Sequence, residues 1–348
     1  MIPAKEMAEE LVFTPEDAKK RWFVTGGAGF IGSHVVDLLV SAGCRVTVYD
    51  NLSLSPDQYI AGYAKSGKID FIKHDLLDLE AVTRAMAGHD IVWHLAANTD
   101  IPSGFTKHRI DLDNDVIVTW NVLEAMVKNG IKPMLFSSTG AAYGTSIQGT
   151  FKESSGPLMP VSLYGAGKVA SEAFISAYCN LFGIQAWVYR FGNVIGGRTN
   201  HGIIYDFIAK LKKSPGELDV LGTGKGEKNY FLVEECIHGM LYTHHRVPDG
   251  PFPVLVNLGT DSTSKVMEIA QIIIEEMGLA DVKYRFTGTK VGWPGDQPVV
   301  LLDTTKIHEL GWYAQRTSND AVRIATRRLL GTDEFSLTAQ TLRSEKTT

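Results

Sequence analysis

Residues 25–32 read Thr25-Gly26-Gly27-Ala28-Gly29-Phe30-Ile31-Gly32. A short apolar run, Arg21–Thr25, leads into this stretch, and residues 30–42 follow with Ile31, Val35, Leu38 and Leu39 at helical spacing. A glycine turn between a strand and a helix is the context in which such a motif holds a dinucleotide. Gly26 allows the tight turn, Gly29 lets the backbone approach a pyrophosphate, and Gly32 lets the helix pack close to the sheet. The helix N-terminus, opened by Phe30 and Ile31, offers free N–H groups and a positive dipole end to the phosphates.

Outward from this turn, apolar runs alternate with helical patterns. Strands are expected at 45–49, 69–72, 91–95, 133–138 and 185–191, with helices at 79–87, 116–127 and 161–182. That rhythm predicts an α/β fold, a Rossmann-type doubly wound parallel sheet covered on both faces. Beyond about Asn193 the rhythm loosens. Helices are expected at 203–213, 233–244 and 264–277, and strands at 218–221 and 254–258. We read a smaller C-terminal α/β substrate lobe. The expected division is an N-terminal extension (1–20), a dinucleotide-binding domain (21–192), the lobe (193–331, with elements that can interleave with the sheet) and a tail (332–348) of appended helix or loose chain.

Asp50 ends the second strand, about 20 residues after the glycines, where a carboxylate accepts hydrogen bonds from the adenosine ribose and repels a 2′-phosphate. Asn51 follows, where an NADP site would favour Arg. The expected cofactor is NAD.

Composition sets outer limits. The 348 residues carry 34 basic and 39 acidic side chains, a formal charge of −5, with no clustering of Lys or Arg. That argues against nucleic-acid and membrane-surface partners. Cys44, Cys179 and Cys236 are scattered and show no zinc spacing, as expected of free thiols in a reducing compartment. No metal site is expected. Residues 1–20 lack the apolar core of a signal peptide, and no apolar run is long enough for a bilayer, so a cytoplasmic protein is expected.

The second informative stretch is Tyr164-Gly165-Ala166-Gly167-Lys168, preceded by Ser137-Ser138-Thr139. Tyr164 and Lys168 lie four apart at a helix start and share a face. An ammonium beside a phenol favours the phenolate, which would tune Tyr164 toward a general base.

These stretches, with His74-Asp75-Leu76, His94-Leu95-Ala96-Ala97-Asn98 and Tyr189-Arg190-Phe191-Gly192-Asn193, resemble the extended short-chain dehydrogenase/reductase superfamily, and within it the nucleotide-sugar epimerases. The resemblance runs from about Arg21 to Gly331. It implies that Asp75 and Leu76 flank the adenine and that Ala96 and Ala97 line the cofactor cleft. It places Thr139 beside Tyr164 on the sugar O4 and Lys168 on the nicotinamide ribose. Asn98, Asn193, His201, Ile203, Leu221, Lys228 and Asp296 are the substrate-binding residues it implies, Asn193 and Lys228 near the diphosphate and Leu221 near the base. A homodimer through the helices at 116–127 and 161–182 is also implied.

The related 4,6-dehydratases carry an Asp-Glu pair straight after the catalytic Thr, and the uronate decarboxylases keep a Glu. Here Thr139-Gly140-Ala141 has no acid group. Thr, Tyr and Lys alone suffice to remove hydride from C4 and return it. The expected activity is therefore an NAD-dependent 4-epimerase of UDP-glucose and UDP-galactose, with N-acetylated or uronate sugars next. A net 4-dehydrogenase or ketoreductase is the second reading. A nucleotide-sensing regulator is the third, disfavoured because Tyr164 and Lys168 are both kept.

Three positions depart from the family pattern. Asp115 replaces a structural Asn, Lys228 an Arg, and Trp293 an Arg, with a core position the default for the tryptophan. His94, His201 and His244-His245 read as structural or surface residues, and Glu234-Glu235 as a solvated helix start.

Overall fold

The computed structural model describes residues 13–146, 149–248, 250–289, 292–293 and 295–338. The first half runs α1 (Pro15–Lys19), β1 (Arg21–Thr25), α2 (Phe30–Ser41), β2 (Arg45–Asp50), α3 (Ala61–Lys65), β3 (Asp70–Lys73), α4 (Leu79–Ala85), β4 (Ile91–His94), α5 (Val118–Asn129), β5 (Pro133–Thr139), α6 (Leu163–Phe182) and β6 (Gln185–Phe191). The second half adds β7 (Asn193–Ile195), α7 (Ile203–Lys213), β8 (Glu217–Val220), β9 (Glu227–Lys228), β10 (Tyr230–Leu232), α8 (Val233–Arg246) and β11 (Val254–Leu258). It continues with β12 (Ser264–Lys265), α9 (Val266–Glu276), β13 (Lys283–Phe286), β14 (Val299–Val300), α10 (Thr305–Glu309) and α11 (Ser318–Leu330).

Seven parallel strands form the main sheet in the order β11-β6-β5-β4-β1-β2-β3. Its strands are apolar on both faces, as a sheet covered by two helical layers requires: Trp22, Phe23 and Val24 of β1 are all buried. One face packs Trp22, Trp93, Leu135 and Tyr189 against α2 and α8; the other packs Phe23, Val92, Phe136 and Val188 against α4, α5 and α6.

The chain crosses back over Asn193. Val256 and Leu258 of β11, and Cys236, Ile237 and Met240 of α8, complete the core of the main sheet. A separate core joins α7, α9 and α11 to β8 and β10 in the lobe. Elements near the chain ends are docked. Asp17 of α1 is buried and caps its own helix through Thr14, while Leu337 is buried in the main core beside the partly buried Phe335.

One local feature was not expected. The helix after β4 enters through a π-helical turn, Leu112–Ile117, before α5 begins. It wraps the residues that back the candidate site.

Candidate active site

Strand order reverses between β1 and β4, and the glycine turn and Ala96 meet at their carboxyl ends. This is where open parallel sheets bind ligands. Gly26 has φ of +70°, and a Cβ there would lie 2.7 Å from the Ala96 nitrogen. A Cβ on Gly32 would sit 2.1 Å from the Gly26 carbonyl oxygen. Glycine is thus enforced at both positions, and α2 begins at Gly29 with no side-chain cap. That leaves its N-terminal N–H groups to face a phosphate.

Asp50 closes the cradle. Its carboxylate accepts from the Ala28 N–H at 3.0 Å and the Leu52 N–H at 2.8 Å. Burial pushes its pKa up, and these two N–H donors oppose the shift. Asn51 donates to the Asp75 carboxylate at 2.9 Å, tying the ends of β2 and β3 together. Leu76 is buried behind them; Ala96 and Ala97 are half-buried after β4. The predicted dinucleotide residues therefore lie together, and the glycine cradle, helix N-terminus and carboxylate fit NAD.

The reacting groups come from β5 and α6. Thr139 ends β5, and its Oγ1 accepts from the Ala141 N–H at 3.1 Å. The Thr139 hydroxyl also lies within hydrogen-bonding reach of the Tyr164 phenol. Ser162 caps α6 through the Gly165 N–H at 3.1 Å, which sets the register that brings Tyr164 and Lys168 to this face. Lys168 is fully buried; its ammonium donates to the Ser137 carbonyl at 3.0 Å and sits 4.8 Å over the Phe136 ring. In the chain alone, burial raises the Tyr164 pKa first, the Asp115 carboxylate adds to that, and the Thr139 hydroxyl opposes it.

Beside these residues lies an open cleft, lined among others by Thr139, Ser162, Asn193, Lys228, Trp293, Asp296 and Gln297. Four predicted substrate residues, Thr139, Asn193, Lys228 and Asp296, do converge there. Asn193 donates to the Asn229 carbonyl at 3.1 Å. Lys228 forms an ion pair with Asp296 at 3.0 Å. Trp293 lines the cleft and is half-buried there, against its default assignment to a core.

Other expectations fail. Asn98 is buried, and its amide donates to Asp111 at 2.8 Å and so faces inward. His201 is exposed and bonds the neighbouring Asn200 side chain; Ile203 packs on the lobe core; Leu221 is 49% exposed. These three stand apart from the cleft lining. Glu234 and Glu235 are buried, not solvated. Glu234 pairs with Arg328 at 2.8 Å, and Glu235 accepts from the Gln315 and Arg316 N–H groups at 2.7 and 3.0 Å.

Sequence reasoning missed Ser162 and Gln297, although the cap motif and the adjacent Asp296 were visible signals. It also missed Glu172, which accepts a bidentate contact from Arg190 at 3.0 and 2.6 Å and a hydrogen bond from Ser138. The Arg190 guanidinium in turn stacks 4.6 Å over Tyr143. This network stiffens the ends of β5 and β6 behind Thr139. His94 is a core residue, bonded to Thr25 and Thr119 at 2.6 and 3.0 Å. Asp17, His244 and His245 hold atoms close enough for a metal, but the Asp17 carboxylate is already engaged by Thr14, Lys20 and His245.

Comparison with known proteins agrees with this geometry. Residues 22–259 match the model of the NAD dependent epimerase/dehydratase family. The UDP-glucose 4-epimerase of Azospirillum brasilense is 28% identical over 325 residues, covering 88% of this chain and 90% of that one. A solved UDP-galactose 4-epimerase is 33% identical with a TM-score of 0.79, covering 89% of this chain and 99% of its own. The UDP-glucose 4-epimerase of Thermus thermophilus, solved in complex with NAD, is 28% identical with a TM-score of 0.79, over 90% of this chain and all of that one. With the glycine cradle, the Asp50 carboxylate and the Thr139, Tyr164 and Lys168 set in place, the chain belongs to the NAD-dependent epimerase/dehydratase family, and its cofactor is NAD.

Proposed function

We propose that this protein is a nucleotide-sugar 4-epimerase that interconverts UDP-glucose and UDP-galactose. The observation that carries the reading is the end of β5. Thr139, within hydrogen-bonding reach of Tyr164, is followed by Gly140 and Ala141, so neither of the two positions after it carries a carboxylate. The acid of the cleft, Asp296, is held by Lys228. A second elimination or decarboxylation step would need a free acid or base next to the sugar.

NAD, held by the glycine turn and Asp50, would when bound supply a reversible hydride acceptor and, in its oxidised form, a positive charge. The chain does the rest. Thr139 holds the sugar O4 through its hydroxyl. Tyr164 takes the proton from the C4 hydroxyl and later returns it to O4, after the keto sugar has turned its other face. Lys168, anchored by Ser137, provides the positive charge that opposes the burial of the phenolate. Asn193 and Lys228 grip the diphosphate, and Trp293 offers an aromatic face to the base. The sugar itself meets few fixed donors, which allows it to turn between the two proton transfers.

The same reading includes a homodimer. Phe174 and Leu181 share one face of α6, and both are exposed, as are Phe182 and Leu112 of the π turn. A cytosolic setting is proposed from the three buried free thiols. Among the described residues no helix is long and apolar enough to cross a membrane.

The test is incubation of the purified protein with UDP-galactose, UDP-N-acetylglucosamine and UDP-glucuronate without added cofactor. Products are resolved by NMR at the anomeric proton, and reduced nicotinamide is followed by absorbance. A C4-inverted product with no lasting reduced cofactor is expected, fastest with UDP-galactose. A 4-keto product with stoichiometric reduced cofactor would overturn the reading in favour of a dehydrogenase.

A further inference from the structure

Behind Lys168, away from the cleft, lies a second buried charge that the reaction above does not use. Asp115 sits in the π-helical turn and is 1% exposed. Its Oδ1 lies 4.0 Å from the Lys168 Nζ. No side chain hydrogen-bonds its carboxylate oxygens among the described residues, and the Asn98 backbone is the hydrogen-bonding group nearest them. The turn is held there firmly: the Thr119 and Ser171 hydroxyls both donate to the Asp115 carbonyl. Gly167 allows the approach, since a Cβ on it would lie 3.0 Å from the Asp115 side chain. Packing therefore presses a buried carboxyl toward the site ammonium. An asparagine would fit the same space without charge.

We propose that Asp115 is a positioning residue for protons: its carboxylate is the counter-charge of Lys168 and makes the Tyr164–Lys168 pair hold its first proton more tightly. The inference rests on the reading of Tyr164 and Lys168 as the proton-handling pair.

The physical argument concerns the three groups as one set. With Asp115 ionised, a protonated Tyr164 and Lys168 give the set no net charge. Losing a proton, from either the phenol or the ammonium, then leaves a buried net negative charge. With an amide at 115, the same set begins at +1, and the first loss relieves a buried charge. That loss therefore comes at lower pH. Burial pushes the Asp115 carboxyl up, opposed mainly by the Lys168 charge. The effect is present at pH values where Asp115 is ionised. Other charged or titratable groups face the set from each side. Asp111 precedes the turn and is bonded to Asn98, Glu172 on α6 is engaged by Arg190, and His94 on β4 is held neutral by burial.

The experiment is an NMR pH titration of NAD-loaded protein, isotope-labelled at the tyrosine Cζ and lysine Cε. The Tyr164 and Lys168 signals are assigned with the Tyr164→Phe and Lys168→Met variants. In Asp115→Asn the first proton loss of the pair is expected to move down by about one pH unit or more, the size of effect for a charge at this distance. Asp111→Asn is expected to move it less. Should Asp115→Asn fold poorly, Asp115→Ala is titrated in its place with the same expectation. A first titration unmoved from that of the parent protein would overturn the proposal. Because the readout needs no turnover, a protein that shows the shift yet epimerises nothing would sink the proposed function and leave this inference standing.

Discussion

Lys228 and Asp296 meet across the substrate cleft at 3.0 Å, each mostly shielded from solvent. Lys228 comes from β9 and Asp296 from the segment before β14, so the pair ties two parts of the lobe together at the cleft wall. A diphosphate would compete with Asp296 for this ammonium. Lys228→Ala is expected to raise KM for a UDP-sugar by roughly tenfold to a hundredfold, the range for losing a charge-assisted hydrogen bond. The kcat should change little, because ground state and transition state lose the contact equally. Steady-state kinetics on UDP-galactose checks this. A fall in kcat with KM unmoved would place Lys228 elsewhere in the reaction.

Tyr164→Phe removes the proton-carrying oxygen and keeps the ring. It is expected to lower kcat by about 10²–10⁴-fold, the usual worth of a positioned acid–base group. The melting temperature and the NAD content should match the parent protein. Thermal melts and cofactor release after denaturation provide the controls.

Gly32→Ala tests the cradle. The new Cβ would meet the Gly26 carbonyl, a backbone atom that cannot swing aside. A loss of about 1–3 kcal/mol or more is expected, seen as a lower urea midpoint, together with loss of co-purified NAD. Retention of full NAD content would show that the turn has another way to accommodate a side chain.

His94 makes stability pH-dependent. Burial first, and then the Lys168 charge, lower its pKa from 6.5 to about 3. The unfolded chain therefore binds a proton that the folded chain refuses throughout that window. Its contribution is fully present above 6.5 and is lost as pH falls toward 3, at up to about 1.4 kcal/mol per unit. Urea midpoints measured at neutral and mildly acidic pH should show this slope, and it should flatten in His94→Gln.

Much of this architecture was legible before any coordinates. Gly26, Gly29 and Gly32 have steric reasons that a sequence displays, and strand runs such as Arg45–Asp50 are bounded by residues of opposite preference. The four-residue spacing of Tyr164 and Lys168 needed only helical geometry. What stayed hidden depends on partners remote in sequence. The burial of Glu235 is set by N–H groups of Gln315 and Arg316, about eighty residues on. Asn98 looked like a cleft residue until Asp111 was seen to take its amide. The π turn at Leu112–Ile117 is rich in Asp and Asn, weak helix formers that mark an irregular entry to α5 without specifying a π turn.

The position of β11 has a consequence for how the molecule is made. The strand that covers the β6 edge is not translated until Leu258, long after the other six strands have left the ribosome. Until then the nascent sheet ends in a bare row of backbone donors and acceptors on β6, with Trp187 and Tyr189 among its side chains. Such an edge recruits other strands, and pairing across more than sixty residues closes slowly. Any shortened chain ending at 192 keeps every group of the glycine cradle and the Tyr164–Lys168 pair, yet leaves that edge permanently open. It is expected to aggregate rather than to yield a small cofactor-binding unit. Strand β11 is in this sense a late cover that the sheet needs before it is closed.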